Sequence, residues 1–280
     1  MSFIINKEIP LLVSSNPNAG AKNIRDNGSS FEVDLQDGLK IPKDAINCQV
    51  RIEESTVWWT VPNIIQGVND KFYVTGPNTA DVITNFVATI PTGLYDLSGI
   101  NQAILRDLEN QGAKINPNPL ITLTPDEPTQ KVELRIDYNN VSVDFTKTDT
   151  PREILGFNSS IIGPFPTPTN VLAPNVAQFN QVNYFLIHTD LTNKGIRINN
   201  KYNQTLGVVL IDVAPGSQIV SKPFNPARVN APELVGTNRT RIRMWLTDDS
   251  DRRINTNGEY WTARMVISYQ LPMVIKKIAE

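Results

Sequence analysis

The sequence is poor in the residues on which most site chemistry rests. Its 280 residues include one cysteine, Cys48, and one histidine, His188. A lone cysteine excludes an intramolecular disulfide, and the two together cannot build a zinc site of the Cys/His kinds. A cupin-like metal centre, which needs a cluster of histidines and carboxylates, is excluded with them. Phosphate-cradling Gly-rich loops are absent, as is the G-x-S-x-G elbow of a serine hydrolase. No cofactor and no catalytic residues are therefore expected, and the chain does not read as an enzyme. No apolar run approaches the roughly 18 residues of a membrane span. The start MSFIINKEIP lacks a basic stretch followed by a long apolar core, so no secretory signal is expected and synthesis in the cytosol is.

Neither sign of charge dominates. Lys plus Arg number 26 and Asp plus Glu 28, a net charge of -2, so a nucleic-acid partner is not expected. Charged residues make up 19%, below the usual share of about a quarter, and Asn, Thr and 20 prolines take their place. These residues interrupt helices and furnish turns, which favours a loop-rich β protein.

Period-two alternation is the main signal that is present. Phe31, Val33 and Leu35 alternate with Glu32 and Asp34. In AINCQVRIEE the inward set is Ile46, Cys48, Val50 and Ile52, and the outward set is Asn47, Gln49, Arg51 and Glu53. Cys48 thus reads as a small buried hydrophobe. Trp58 and Trp59 are adjacent and must point to opposite faces of a strand, so one of them needs a second burial surface.

From Gly67 the character changes. KFYVT and TNFVATI flank a turn-forming stretch, and Leu97, Ile100, Ile104, Leu105 and Leu108 then fall at helical offsets, with Gly112 as a stop. KVELRIDYNNVSVDF predicts a hairpin turning at Asn139 and Asn140. TDTPREILGF predicts a short helix with Thr150 as N-cap, Pro151 at its first position, Glu153 in a capping box and Gly156 as its stop. A Pro-rich segment, GPFPTPTNVLAPN, reads as a linker without regular structure. β patterns then return: YFLIH and LGVVLIDV read as strands buried on both faces, and RTRIRMWL and WTARMVISY alternate. The expected organisation is one β-sandwich, residues 1–66 and 167–280, interrupted by a small α/β insertion at 67–166.

Three constellations invite a chemical reading. His188 and Asp190 lie two apart on a predicted strand and face one side, but no nucleophile accompanies them. Asp248, Asp249 and Asp251, followed by Asn255, Asn257 and Glu259, supply oxygen ligands without the spacing of a calcium loop, and a solvated hairpin loop accounts for them. Arg239, Arg241 and Arg243 alternate along one strand with Arg252, Arg253 and Arg264 near in sequence, a pattern that an edge strand guarded by charge, or a salt-bridged subunit contact, would show. The triplet Asn203-Gln-Thr205 reads as an ordinary turn.

Several segments occur together in a fixed order. Pro62-Asn63-Ile64 precedes I-P-x-G-x-Y-D-x-x-x-I-N at Ile90 to Asn101, and I-L-G-F follows at Ile154 to Phe157. R-M-W-L-T-D and I-N-x-N-G-E-Y-W-T-A-R-M-V-I then close the series between Arg243 and Ile267. In this order the chain resembles the penton, or minor capsid, proteins of virophages and Polinton-like viruses, from about Phe31 to Tyr269. The resemblance implies a single jelly-roll β-sandwich carrying an insertion domain. It implies homopentamers at the fivefold vertices of an icosahedral virion, set among a double jelly-roll major capsid protein, with the insert projecting outward toward a host surface. The matching residues read as structural: Gly93 permits a sharp turn before Tyr95, Asp96 favours a helix N-terminus, Leu155 and Phe157 bracket a helix end at Gly156, and Gly258 completes an Asn-Gly turn. A second reading is a lectin-like jelly-roll module with Trp58, Trp59 or Trp261 as sugar platforms.

Overall fold

The computed structural model describes residues 2–180, 182–198 and 201–274. The chain forms two compact units, Met1–Val61 with Val182–Glu280, and Pro62–Gln181. The first unit begins with β1 (Ser2–Ser14), β2 (Ala21–Arg25), β3 (Ser30–Lys40) and β4 (Ile46–Trp58). The second unit then runs β5 (Lys71–Pro77), β6 (Ile83–Thr89), α1 (Leu97–Asn110), β7 (Ile121–Asp126) and β8 (Lys131–Ile136). It ends with β9 (Ser142–Asp144), α2 (Arg152–Leu155), β10 (Ile161–Ile162) and β11 (Thr169–Leu172). The first unit resumes with β12 (Tyr184–Thr189), β13 (Arg197–Ile198), β14 (Lys201–Tyr202), β15 (Thr205–Leu210) and β16 (Gln218–Ser221). It closes with β17 (Val229–Asn230), β18 (Asn238–Thr247) and β19 (Thr262–Val274).

In the first unit, one antiparallel sheet has the order β1-β19-β4-β16, with β17 also beside β4, and a second has the order β15-β12-β18-β3-β2. Its eight principal strands pair first with last, β1 to β19, then β3 to β18, β4 to β16 and β12 to β15. Such a rolled antiparallel ribbon is a jelly roll, and the inner unit is inserted between its third and fourth strands. Phe31 and Trp261 meet edge-to-face at 5.0 Å in the core. Val50, Ile52, Met265 and Ile267 from one sheet and Phe185, Ile187, Ile242 and Met244 from the other are buried with them. The sheets approach closely at Gly207, where a Cβ would lie 2.8 Å from Ile52 Cδ1.

Strand β4 departs from strict alternation for a visible reason. Arg264 pairs with Glu54 but Met265 pairs with Ile52, so Glu53 is an extra residue and the inward set changes from Cys48, Val50 and Ile52 to Ser55, Val57 and then Trp59. Ile46, expected inward, is exposed, and Arg51, expected outward, is buried, its Nη2 donating to Glu8 and Glu53 at 3.1 and 3.0 Å. Strand β15 is half-buried rather than buried on both faces, because it is an edge strand with Val208 and Leu210 outward.

The inserted unit holds sheets β10-β9-β5-β6 and β11-β8-β7, with α1 against β6 and β7. Ile100, Ala103, Ile104 and Leu108 form the buried face of α1, beside a cluster that includes Phe72, Phe86, Phe145 and Phe157. The hairpin expected between 131 and 145 does not form. Strand β8 pairs with β7 and β11, whereas β9 pairs with β5 and β10, so Asn140, at φ 65°, turns the chain from one sheet to the other. The Pro-rich stretch contains a strand, since β11 pairs with β8, and residues 62–66 and 167–181 fall with the inner unit rather than with the sandwich. At α2 the N-cap is Pro151 and there is no capping box; the Thr150 hydroxyl donates instead to Lys147 O.

Candidate functional site

His188 sits on β12 with 1% of its surface exposed, stacked on Trp245 of β18 at 5.4 Å and 5°. Nε2 is hydrogen-bonded to Thr247 Oγ1 at 2.8 Å and Nδ1 to Thr205 Oγ1 at 3.3 Å. Burial lowers its pKa to about 4, against the weaker pull of Asp251. Asp190 is engaged elsewhere: its Oδ1 accepts from Arg243 N at 3.0 Å, and burial raises its pKa. The pair the sequence suggested is thus not a pair, and the imidazole is walled in by hydroxyls that orient it. Cys48 is buried too, and burial raises its thiol pKa to about 11, so the reactive thiolate is suppressed.

The acidic loop does not converge. Asp248 accepts from Ser250 N and Arg252 N and pairs with Arg252 Nε at 2.8 Å. Asp249 accepts from Asn183 and Asp251 from Asn203. Among the described residues no three Asp, Glu, His or Cys side chains come together to hold a metal ion.

The arginine row lies on a central strand, not on an edge, because β18 runs between β12 and β3. Part of the positive charge of the row and of its sequence neighbours is met by carboxylates. Arg241 pairs with Asp34 and Glu32, Arg253 with Asp26, and Arg264 with Glu53. Arg243 and Arg253 lie over the Trp245 ring at 5.6 and 4.9 Å, completing a stack begun by His188.

The motif residues build two hinges of the inserted unit and one turn of the jelly roll. Asn63 is buried, and its side chain accepts from Tyr95 N and donates to Tyr95 O and Phe179 O, so one amide ties three stretches of chain. Its role was not legible from the sequence, where it stood only as part of Pro62-Asn63-Ile64. Gly93 exchanges backbone hydrogen bonds with Ile64, and a Cβ there would lie 2.8 Å from the Tyr95 ring; the requirement is room for that ring. Asp96 caps α1, its Oδ1 accepting from Gly99 N at 2.7 Å. Gly156 N donates to Glu153 O and Phe157 N to Arg152 O, a Schellman ending with Gly156 at φ 81°. Leu155 is buried, and Phe157 stacks on Phe145 at 4.8 Å. Asn257 and Gly258, at φ 54° and 83°, form the centre of a turn closed by Glu259 N to Thr256 O.

Of the proposed sugar platforms, Trp59 and Trp261 are buried and only Trp58 is partly exposed. Most of the exposed apolar side chains described in the jelly roll lie on or beside its edge strands. Strands β15 and β16 lie together on one flank, carrying Val208, Leu210 at 67% exposure and Val220, with Phe224 just beyond. Strands β1 and β2 are the remaining edges of the two sheets, carrying Phe3, Ile4, Leu12 at 74% exposure and Ile24.

No family model and no curated protein matches the chain. Solved structures do. The mavirus penton protein is similar over 94% of this chain and 99% of its own, at 11% identity and a TM-score of 0.46. A chain of the Sputnik virophage structure determined by cryo-EM is similar over 94% of this chain and 97% of its own, at 13% identity and a TM-score of 0.42.

Proposed function

We propose that the chain is a structural capsid protein of a virion, a penton subunit that forms homopentamers at fivefold vertices and contacts a major capsid protein there. The observation that carries this reading is the set of exposed apolar side chains on the edge strands of the jelly roll, β1 and β2 on one side and β15 and β16 on the other. A ring of identical subunits joins unlike surfaces head to tail, so each subunit needs two different adhesive flanks. Leu12 and its neighbours supply one, Leu210 and its neighbours the other. The jelly roll with an insert between its third and fourth strands, and the ordered motifs from Pro62 to Ile267, support the same reading. The inserted unit is assigned to host-surface contact, through the sheet face where Val87, Tyr73, Asp144 and Ile161 lie in one row. The subunit is made in the host cytosol and works without cofactor or catalysis. The lectin reading is weakened by the burial of Trp59 and Trp261.

Two single variants test the head-to-tail arrangement. Leu12→Lys and Leu210→Lys each spoil one flank, and each alone is expected to leave a monomer with an unchanged unfolding midpoint. Mixed, they retain one intact contact between them and are expected to give a heterodimer but no ring. Rings that persist in either variant would reject the flanks as the assembly surfaces.

A further inference from the structure

At one end of the jelly roll, the loop after β2 and the turn before β19 flank an open crevice of about 520 Å³. The two loops are clamped to each other: Gly28 and Asn255 form an antiparallel bridge, and Thr256 donates to Asn27 O through both its N–H and its hydroxyl. A Cβ on Gly28 would lie 2.3 Å from Thr256 Oγ1, so only glycine allows this approach. Asn27 and Asn257 stand at φ 52° and 54° on the facing loops, and Tyr260 is 47% exposed beside Ile24. Among the described residues, the side chains of Asn27, Asn257, Glu259 and Tyr260 have no hydrogen-bond or ion-pair partner. The crevice therefore offers amide donors and acceptors, a carboxylate acceptor and an aromatic ring on a fixed frame, and its lining holds no lysine or arginine.

We propose that this crevice is a binding site for a neutral saccharide. Sugar hydroxyls both donate and accept, which matches amides and a carboxylate side by side, and the C–H face of a pyranose packs on an aromatic ring. The volume is in the range of small-ligand pockets, about 300–1,000 Å³. The missing cations argue against a phosphate, sulfate or sialic acid ligand. The proposal goes beyond the capsid role, and the crevice shares Ile24 with the β1–β2 flank.

Saturation-transfer NMR on the full chain tests it, with methyl α-glucoside, methyl α-galactoside, methyl α-mannoside and N-acetylglucosamine as probes and sialyllactose as the anionic comparison. Transfer to at least one neutral sugar is expected, with its dissociation constant raised tenfold or more by Tyr260→Ala and by Asn27→Gly, the latter a change that suits the positive φ. Unfolding midpoints near that of the parent chain would show that both variants fold. Transfer to none of the neutral sugars, transfer to sialyllactose alone, or transfer unchanged in both folded variants would overturn the proposal.

Discussion

Gly112 and Gly156 adopt nearly the same left-handed backbone, φ 80° and 81°, yet their surroundings differ. Nothing lies within 4 Å of a Cβ built on Gly112, whereas one on Gly156 would sit 2.3 Å from Asn175 O. Gly112→Ala is therefore expected to cost about 1 kcal/mol, the ordinary penalty of the left-handed region. Gly156→Ala must also displace the segment after β11 whose Asn175 N donates to Gly156 O, and at least twice that cost is expected in urea unfolding. His188 gives a pH effect with a definite sign. Its pKa falls from 6.5 to about 4 in the fold because burial disfavours the charged ring. The unfolded chain thus binds the proton more readily. The stabilisation is full above about pH 6.5 and is lost as the pH falls toward 4, up to roughly 3 kcal/mol. His188→Phe keeps an aromatic ring at the stack on Trp245 but cannot titrate, and its stability is expected to vary less between pH 6.5 and 4 in a series of thermal melts.

Helix α1 depends on one cap. Asp96 satisfies Gly99 N, and four apolar side chains on one face pack inward. Asp96→Ala is expected to destabilise the inserted unit by about 1 kcal/mol and to speed amide exchange at the first turn of α1, read by hydrogen-exchange NMR. This helix was legible because both its cap and its 3.6-residue period are local. The strand pairings were legible only in part. Alternation marks Val132, Leu134 and Ile136 and then Val141, Val143 and Phe145 as inward, and both sets are buried. It cannot say that the two stretches belong to different sheets, because a period of two fixes a face and not a partner. The extra residue at Glu53 escaped for a related reason: a bulge is defined by the opposite strand, and β19 lies some two hundred residues away in sequence. The arginines of β18 fit an edge strand equally well by pattern; the carboxylate partners of Arg241, Asp34 and Glu32, lie on β3, far earlier in the chain.

For the whole molecule, scarcity told more than motif. One histidine and one cysteine left little Cys/His chemistry for the sequence to offer, and the structure shows both residues buried in the jelly roll. The flanks, by contrast, were invisible in the sequence, since Leu12 and Leu210 lie in continuous apolar runs, and that of Leu210, LGVVLIDV, reads as a strand buried on both faces. The sheet order leaves β1, β2, β15 and β16 at the edges, and the exposure of Leu12 and Leu210 shows that they face outward. The central claim is that these flanks close a ring. The native mass of the purified chain, measured by light scattering across a concentration series at low and moderate salt, tests it most directly. A species of five subunits that dissociates on dilution without intermediates larger than five is the predicted result. A dimer that saturates, or a monomer at every concentration and salt, would contradict it.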